Sequence, residues 1–97
     1  MIHIATACGV GMGSSLVLRM YTEDVLKELG VEARVEAMDV PQAKGAKVDL
    51  ILTSPALVEV VSGGRGVVKA ISNYVDKSLI RNALIEYFEE NDIPFNL

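Results

Sequence analysis

Ninety-seven residues suffice for one compact domain spanning 1–97 and fall short of two. About half the chain is apolar (51%), so a core can form, while the net charge of −4 and the absence of any basic block argue against nucleic acid or an anionic membrane as partner. The lone Cys8 excludes an internal disulfide, a CxxC redox pair and a zinc knuckle. With no signal-peptide pattern and no run near the ~20 apolar residues of a membrane span, a reducing, cytoplasmic setting without membrane insertion is expected.

Residues 2–7 (IHIATA) are apolar and are followed by glycines, which predicts a buried strand. Cys8 to Ser15 (CGVGMGSS) reads as a loop whose Gly9, Gly11 and Gly13 supply φ > 0, with Ser14 or Ser15 as the N-cap of the next helix. From about Ser15 to Leu29, Leu18, Tyr21, Val25 and Leu29 recur at helical spacing, with Arg19–Glu23 and Glu23–Lys27 as i,i+4 pairs and Gly30 as the C′ residue. Glu32 to Met38 alternates charged and apolar residues, as an edge strand with one wet face does. Residues 39–47 are polar, with room for a short helical turn, and Asp39 before Val40–Pro41 suits a capping or turn role better than acid catalysis.

The run within 48–53 (VDLILT) predicts a central strand ended by Ser54–Pro55. A short helix over 56–61 closed by Gly63 and Gly64, a fourth strand over 67–72, and a last helix capped by Asp76 and running to about Glu90 complete the pattern. Ile80, Ala83, Leu84, Tyr87 and Phe88 form the apolar stripe of that helix. Strands alternating with helices imply a three-layer α/β sandwich with right-handed crossovers, flavodoxin- or Rossmann-like, around a four-stranded parallel sheet ordered 2-1-3-4. In such sheets ligands bind beyond the carboxyl ends of the strands where the order reverses, here between strands one and three, where the loop from Cys8 departs.

A cysteine ending a buried strand, three glycines and two serines opening a helix make a cup of backbone N–H groups at the positive end of a helix dipole. This composition suits a phosphoryl group on, or arriving at, the Cys8 sulfur, with Gly9, Val10, Gly11, Met12, Gly13, Ser14 and Ser15 around it. The nucleophile is the thiolate. A thiol of pKa ~8.5 is about 3% ionised at neutral pH, so complete ionisation gains at most about thirtyfold, and aligned phosphate donors contribute more. The loop lacks GxxxxGK[ST], and its third glycine comes too early for the dinucleotide fingerprint. Tyrosine-phosphatase loops place arginine five residues after the cysteine; Ser14 stands there, and a carrier that keeps its phosphocysteine from water has less use for that clamp than a hydrolase.

The stretch CGVGMGSSLVLRM resembles the active loop of IIB components of the bacterial phosphoenolpyruvate-dependent sugar phosphotransferase system, most closely the ascorbate type of the lactose/ascorbate/galactitol IIB group. The length, the strand–helix order and the VDLILT strand extend the likeness across most of the chain. The resemblance implies that Cys8 accepts a phosphoryl group from a phosphohistidine of enzyme IIA and passes it to a sugar, such as ascorbate or a related sugar or polyol, held by the permease enzyme IIC. Backbone N–H groups of Gly9 to Ser15 would bind the phosphate, with no metal, nucleotide or other cofactor.

Two alternatives stand beside this reading. A low-molecular-weight phosphatase-like hydrolase would release phosphate steadily and lose that activity in Cys8→Ser. A non-catalytic nucleotide-binding module would keep a ligand-dependent thermal shift in the same variant. Among the remaining residues, Arg19 either guides a partner or pairs with Glu23, Thr53 and Ser54 are expected as rim contacts or turn formers, and His3, inside a strand, is expected to be structural. Residues 56–65 depart from the family pattern and are expected to face partners.

Overall fold

In a computed structural model of the chain, residues 2–7, 11–63 and 66–96 are described, those at 11–14 by their backbone alone. Four strands, β1 (Ile2–Ala7), β2 (Ala33–Met38), β3 (Leu50–Thr53) and β4 (Val67–Ala70), form one parallel sheet in the order β2-β1-β3-β4. Its register sets Ala7 beside Met38 on one side and Thr53 on the other, and Thr53 beside Ala70. Helices α1 (Gly11–Leu29), α2 (Val40–Gly45) and α3 (Val58–Val61) make the crossovers, with a 3-10 turn over Pro55–Leu57 before α3, and α4 (Lys77–Glu90) follows the last strand. The architecture is the expected α/β sandwich with its 2-1-3-4 order.

Side-chain alternation divides the core between the two faces of the sheet. Ile4, Val35, Leu50, Leu52 and Ile71 point to one face and are buried against Leu18, Val25, Leu26 and Leu29 of α1 and Ile80, Leu84, Tyr87 and Phe88 of α4. Ala5, Ala7, Met38 and Ile51 point to the other, against Ala43 of α2 and Val61 of α3. Phe88, fully buried, meets Tyr87 edge-on at 6.1 Å between ring centres and Phe95 at 5.8 Å. These separations are ones at which aromatic pairs attract beyond their area.

The predicted stops and starts have clear physical partners. Gly30 has φ +68, Val31 N–H donates to Leu26 O at 3.0 Å and Gly30 N–H to Lys27 O at 3.2 Å, so α1 ends in a Schellman motif. A Cβ at Gly30 would also meet Asn96 Nδ2 at 2.5 Å. Asp39 caps α2 in a capping box: its carboxylate accepts from Gln42 N–H at 2.8 Å while Gln42 Oε1 accepts from Asp39 N–H at 3.3 Å. Asp76 caps α4 by accepting from Ser78 N–H at 2.9 Å. At the far end of α4, Asp92 takes φ 54 and Ile93 N–H donates to Phe88 O at 2.9 Å, a second Schellman closure built on a residue that is not glycine.

Several boundaries differ from the sequence reading. Helix α1 starts at Gly11, four residues before the expected Ser15, so Gly11 and Gly13 lie in its first turn and neither Ser14 nor Ser15 is the N-cap. Glycine is a poor helix former by about 1 kcal/mol, and tertiary contacts override that local preference. One such contact is the buried Thr6 hydroxyl donating to Ser15 O. The Glu23–Lys27 pair does not form within 4 Å; Glu23 turns to Arg19 instead. β2, β3 and β4 are one or two residues shorter than expected, although just outside them Asp49 N–H still donates to His3 O at 2.8 Å and Ile71 N–H to Thr53 O at 2.7 Å. Gly64, expected to close the short helix with Gly63, lies outside the described residues.

Candidate functional site

β1 ends at Ala7 and α1 begins at Gly11, so three residues, Cys8, Gly9 and Val10, join a central strand to a nineteen-residue helix. These three lie outside the described residues, as do the side chains of Met12 and Ser14. Their anchors on either side are defined. Sheet order reverses between β1 and β3, and the carboxyl ends of both strands meet there with Ala7 beside Thr53. That reversal is where doubly wound sheets open a crevice for ligands. An α-helix leaves its first N–H groups without intrahelical acceptors, and those of α1 fall at the exit of the Cys8 segment.

Both ends of the connection are tied by buried hydroxyls. Thr53, fully buried at the end of β3, donates its Oγ1 to Ala7 O at 2.7 Å. Thr6, equally buried one residue earlier on β1, donates to Ser15 O at 2.9 Å. Strand alternation explains the division of labour, because Thr6 shares the α1-facing parity of Ile4 while Thr53 shares the opposite parity with Ile51. Ser15 itself is fully buried in the second turn of α1.

The other sequence candidates are placed as follows. Thr53 presents no side-chain surface and serves as a tie, so it offers a partner nothing to touch. Ser54 precedes the 3-10 turn as its N-cap, without a side-chain capping bond. Arg19 sits eight residues beyond the start of α1, roughly 12 Å along the axis. Its Nε lies 3.4 Å from Glu23 Oε1 without hydrogen-bond geometry, and the pair is nearly half exposed. Asp39, at the carboxyl end of β2, is committed to capping. His3 lies at the amino end of β1 with Nε2 3.5 Å from Glu36 Oε1, and Glu36 also takes Arg34 at 2.6 Å, which fits the structural role expected of it.

The sequence reading missed Thr6. The signal was available: a hydroxyl inside an otherwise apolar buried strand must find an acceptor. Beside the Cys8 segment, the early turns of α1 carry Leu16, Val17 and Met20 exposed, the last at 62%. An open groove of about 590 Å³ lies at the opposite, amino-terminal end of the sheet, lined by Ile2, Glu32, Asp49, Tyr87 and Asn91 among others. It shares no residue with the Cys8 region. Among the described residues no cluster of three or more His, Cys, Asp or Glu could hold a metal ion, and no helix is long and apolar enough to cross a membrane.

A four-stranded parallel sheet in this order, flanked by helices, defines the flavodoxin-like α/β class. Residues 3–89 match the family model described as PTS system, Lactose/Cellobiose specific IIB subunit. The chain is also 36% identical over 86 residues to the ascorbate-specific PTS system EIIB component of Mycoplasma pneumoniae (strain ATCC 29342 / M129 / Subtype 1), covering 86% of this chain and 90% of that protein. The chain therefore belongs to the PTS IIB family and is an EIIB-type component of a sugar phosphotransferase system.

Proposed function

We infer that Cys8 is the phosphoryl carrier of this component, working in the cytoplasm between a soluble enzyme IIA and the membrane permease enzyme IIC. The thiolate attacks the phosphorus of a phosphohistidine on IIA; the N–P bond breaks, an S–P bond forms, and the imidazole leaves with a proton. In the second step a sugar hydroxyl held by IIC attacks, the S–P bond breaks, and the hydroxyl proton passes to solvent as the thiolate is restored. Backbone N–H groups between Gly9 and Ser15 receive the phosphoryl oxygens, and the dipole of α1 favours their charge. No metal or nucleotide takes part in this scheme. The name of the Mycoplasma relative points to ascorbate or a related sugar acid as the cargo.

The observation that carries the reading is the position of the single cysteine, immediately after the central strand β1 and three residues before α1, at the point where sheet order reverses. Incubation with phosphoenolpyruvate, the general phosphotransferase proteins and candidate IIA domains, followed by intact-protein mass spectrometry and peptide mapping, tests it. The expected result is one phosphoryl group on Cys8, absent in Cys8→Ser while the thermal transition of that variant stays near wild type. Phosphorylation that persists in Cys8→Ser would overturn it. Continuous phosphate release from an aryl phosphate would point to the hydrolase instead.

A further inference from the structure

We propose that Thr53 and Thr6 are positioning residues that hold the two ends of the Cys8 segment for phosphoryl transfer. The proposal rests on the carrier reading for its rate readout. Both side chains are fully buried. A buried hydroxyl without an acceptor costs free energy, so at two positions in apolar strands a hydrophobic residue is the simpler solution. Each threonine instead spends its donor on one particular carbonyl. Thr53 Oγ1 reaches the carbonyl of Ala7, the last residue of β1 and the one bonded directly to Cys8. Thr6 Oγ1 reaches the carbonyl of Ser15, in the second turn of α1.

The two ties differ in kind. The first crosses between strands and sets where the chain leaves the sheet. The second crosses from sheet to helix and sets where the first-turn N–H groups of α1 stand relative to that exit. The first tied carbonyl belongs to the last residue of β1, and the second lies four residues beyond the start of α1 at Gly11. The sulfur and its phosphate donors thus depend on the distance between two carbonyls that two hydroxyls define. Glycines at 9, 11 and 13 contribute no side-chain packing of their own, which leaves the threonines to supply the definition.

Displacing a reacting group by about 1 Å can cost on the order of a hundredfold in rate, so small shifts at these ties are expressed in the chemistry first. Valine is nearly isosteric with threonine and keeps the β-branch suited to a strand, while removing the donor. Serine keeps the donor and loses only a methyl group. This pair of replacements separates positioning from packing.

The test uses the full chain as wild type, Thr53→Val, Thr53→Ser, Thr6→Val and Thr6→Ser. Single-turnover phosphoryl transfer from phosphorylated IIA to Cys8 is timed, and amide hydrogen exchange is followed along the chain. Each valine variant is expected to slow transfer at least about tenfold and to lose at least about tenfold protection at the amides of residues 15–19, whose N–H groups donate to the carbonyls of the first turns of α1. Exchange in β2 and α4 should stay at wild-type values, and each serine variant should come within about threefold of wild type on both measures. Valine variants that transfer at the wild-type rate, or serine variants as slow as valine, would overturn the proposal. If wild type itself takes no phosphoryl group, the carrier reading falls, and the exchange measurement still decides the ties: unchanged protection at 15–19 in the valine variants refutes them.

Discussion

The two faces of the sheet are built to different depths. One is covered by α1 and α4, nineteen and fourteen residues long, and among the described residues buries thirteen side chains in one cluster that includes Tyr87 and Phe88. The other is covered by α2 and α3, six and four residues, and among the described residues buries seven, of which three are alanines. A helix of four or six residues cannot hold itself together in water, since nucleation is costly and short helices gain few bonds. Those elements persist through a capping box, a proline at a helix start and contact with the sheet. The deep face holds the fold; the shallow face closes the sheet with little material.

Matched substitutions on the two faces sharpen this contrast. Val25 on α1 and Val61 on α3 are both essentially fully buried, so alanine removes the same atoms from each. Val25→Ala is expected to cost about 2–3 kcal/mol, because long helices on both sides prevent the cavity from collapsing. Val61→Ala should cost about 1–1.5 kcal/mol, near the transfer term alone, because a one-turn helix can settle inward. Urea denaturation midpoints at constant m-value check both. Equal costs would mean that the shallow face is as rigid as the deep one.

Alkaline pH acts on the deep face next. Lys69 of β4 reaches across to Glu86 and Glu90 of α4 at 2.5 and 2.7 Å. Burial alone lowers its pKa, but the hydrogen bonds and charges of the two carboxylates outweigh that and leave it raised above 10.5. For Tyr87, burial, with Asp49 adding its charge, raises the phenol above 10.0. In both cases the unfolded chain releases its proton first. Stability is therefore complete below about pH 10 and falls as pH rises past the unfolded values toward the folded ones. Thermal melts from pH 9 to 11.5 should show this decline in wild type and a shallower one in Lys69→Met. Equal slopes would remove Lys69 from the account.

The smallest effect is expected at the end of α4. Asp92 adopts φ 54, where glycine is unstrained, and places a negative charge at the negative end of a helix dipole. Asp92→Gly should raise stability by about 0.5–1 kcal/mol, read as a higher melting temperature. A decrease would show that the side chain makes a compensating contact.

Much of this organisation was legible from residue order. Charges alternating along 32–38 identified an edge strand, the run Leu50–Leu52 identified a central one, and with β1 they implied the sheet order observed. Asp39, Asp76 and Gly30 were readable because capping depends on residues within a few positions of each other. The start of α1 was not, since glycines at 11 and 13 look like a loop to any local rule and only contact with the sheet makes that turn helical. The choice of Glu23 between Arg19 and Lys27 was likewise hidden, because on an isolated helix the acid-before-base order favours Lys27, while the pair that forms is with Arg19.

The candidate site divides along the same line. The chemistry proposed for it rests on sequence alone, on one cysteine, alternating glycines and paired serines after an apolar strand, because these are properties of residue type and local spacing. Tertiary structure decided what frames it. Thr53 and Ala7 are 46 positions apart and become neighbours only through strand pairing, and that pairing turned an expected rim residue into a buried tie. Hydrogen bonds between distant segments depend on register and on which face each side chain takes, and those are settled only when the strands assemble against their helices.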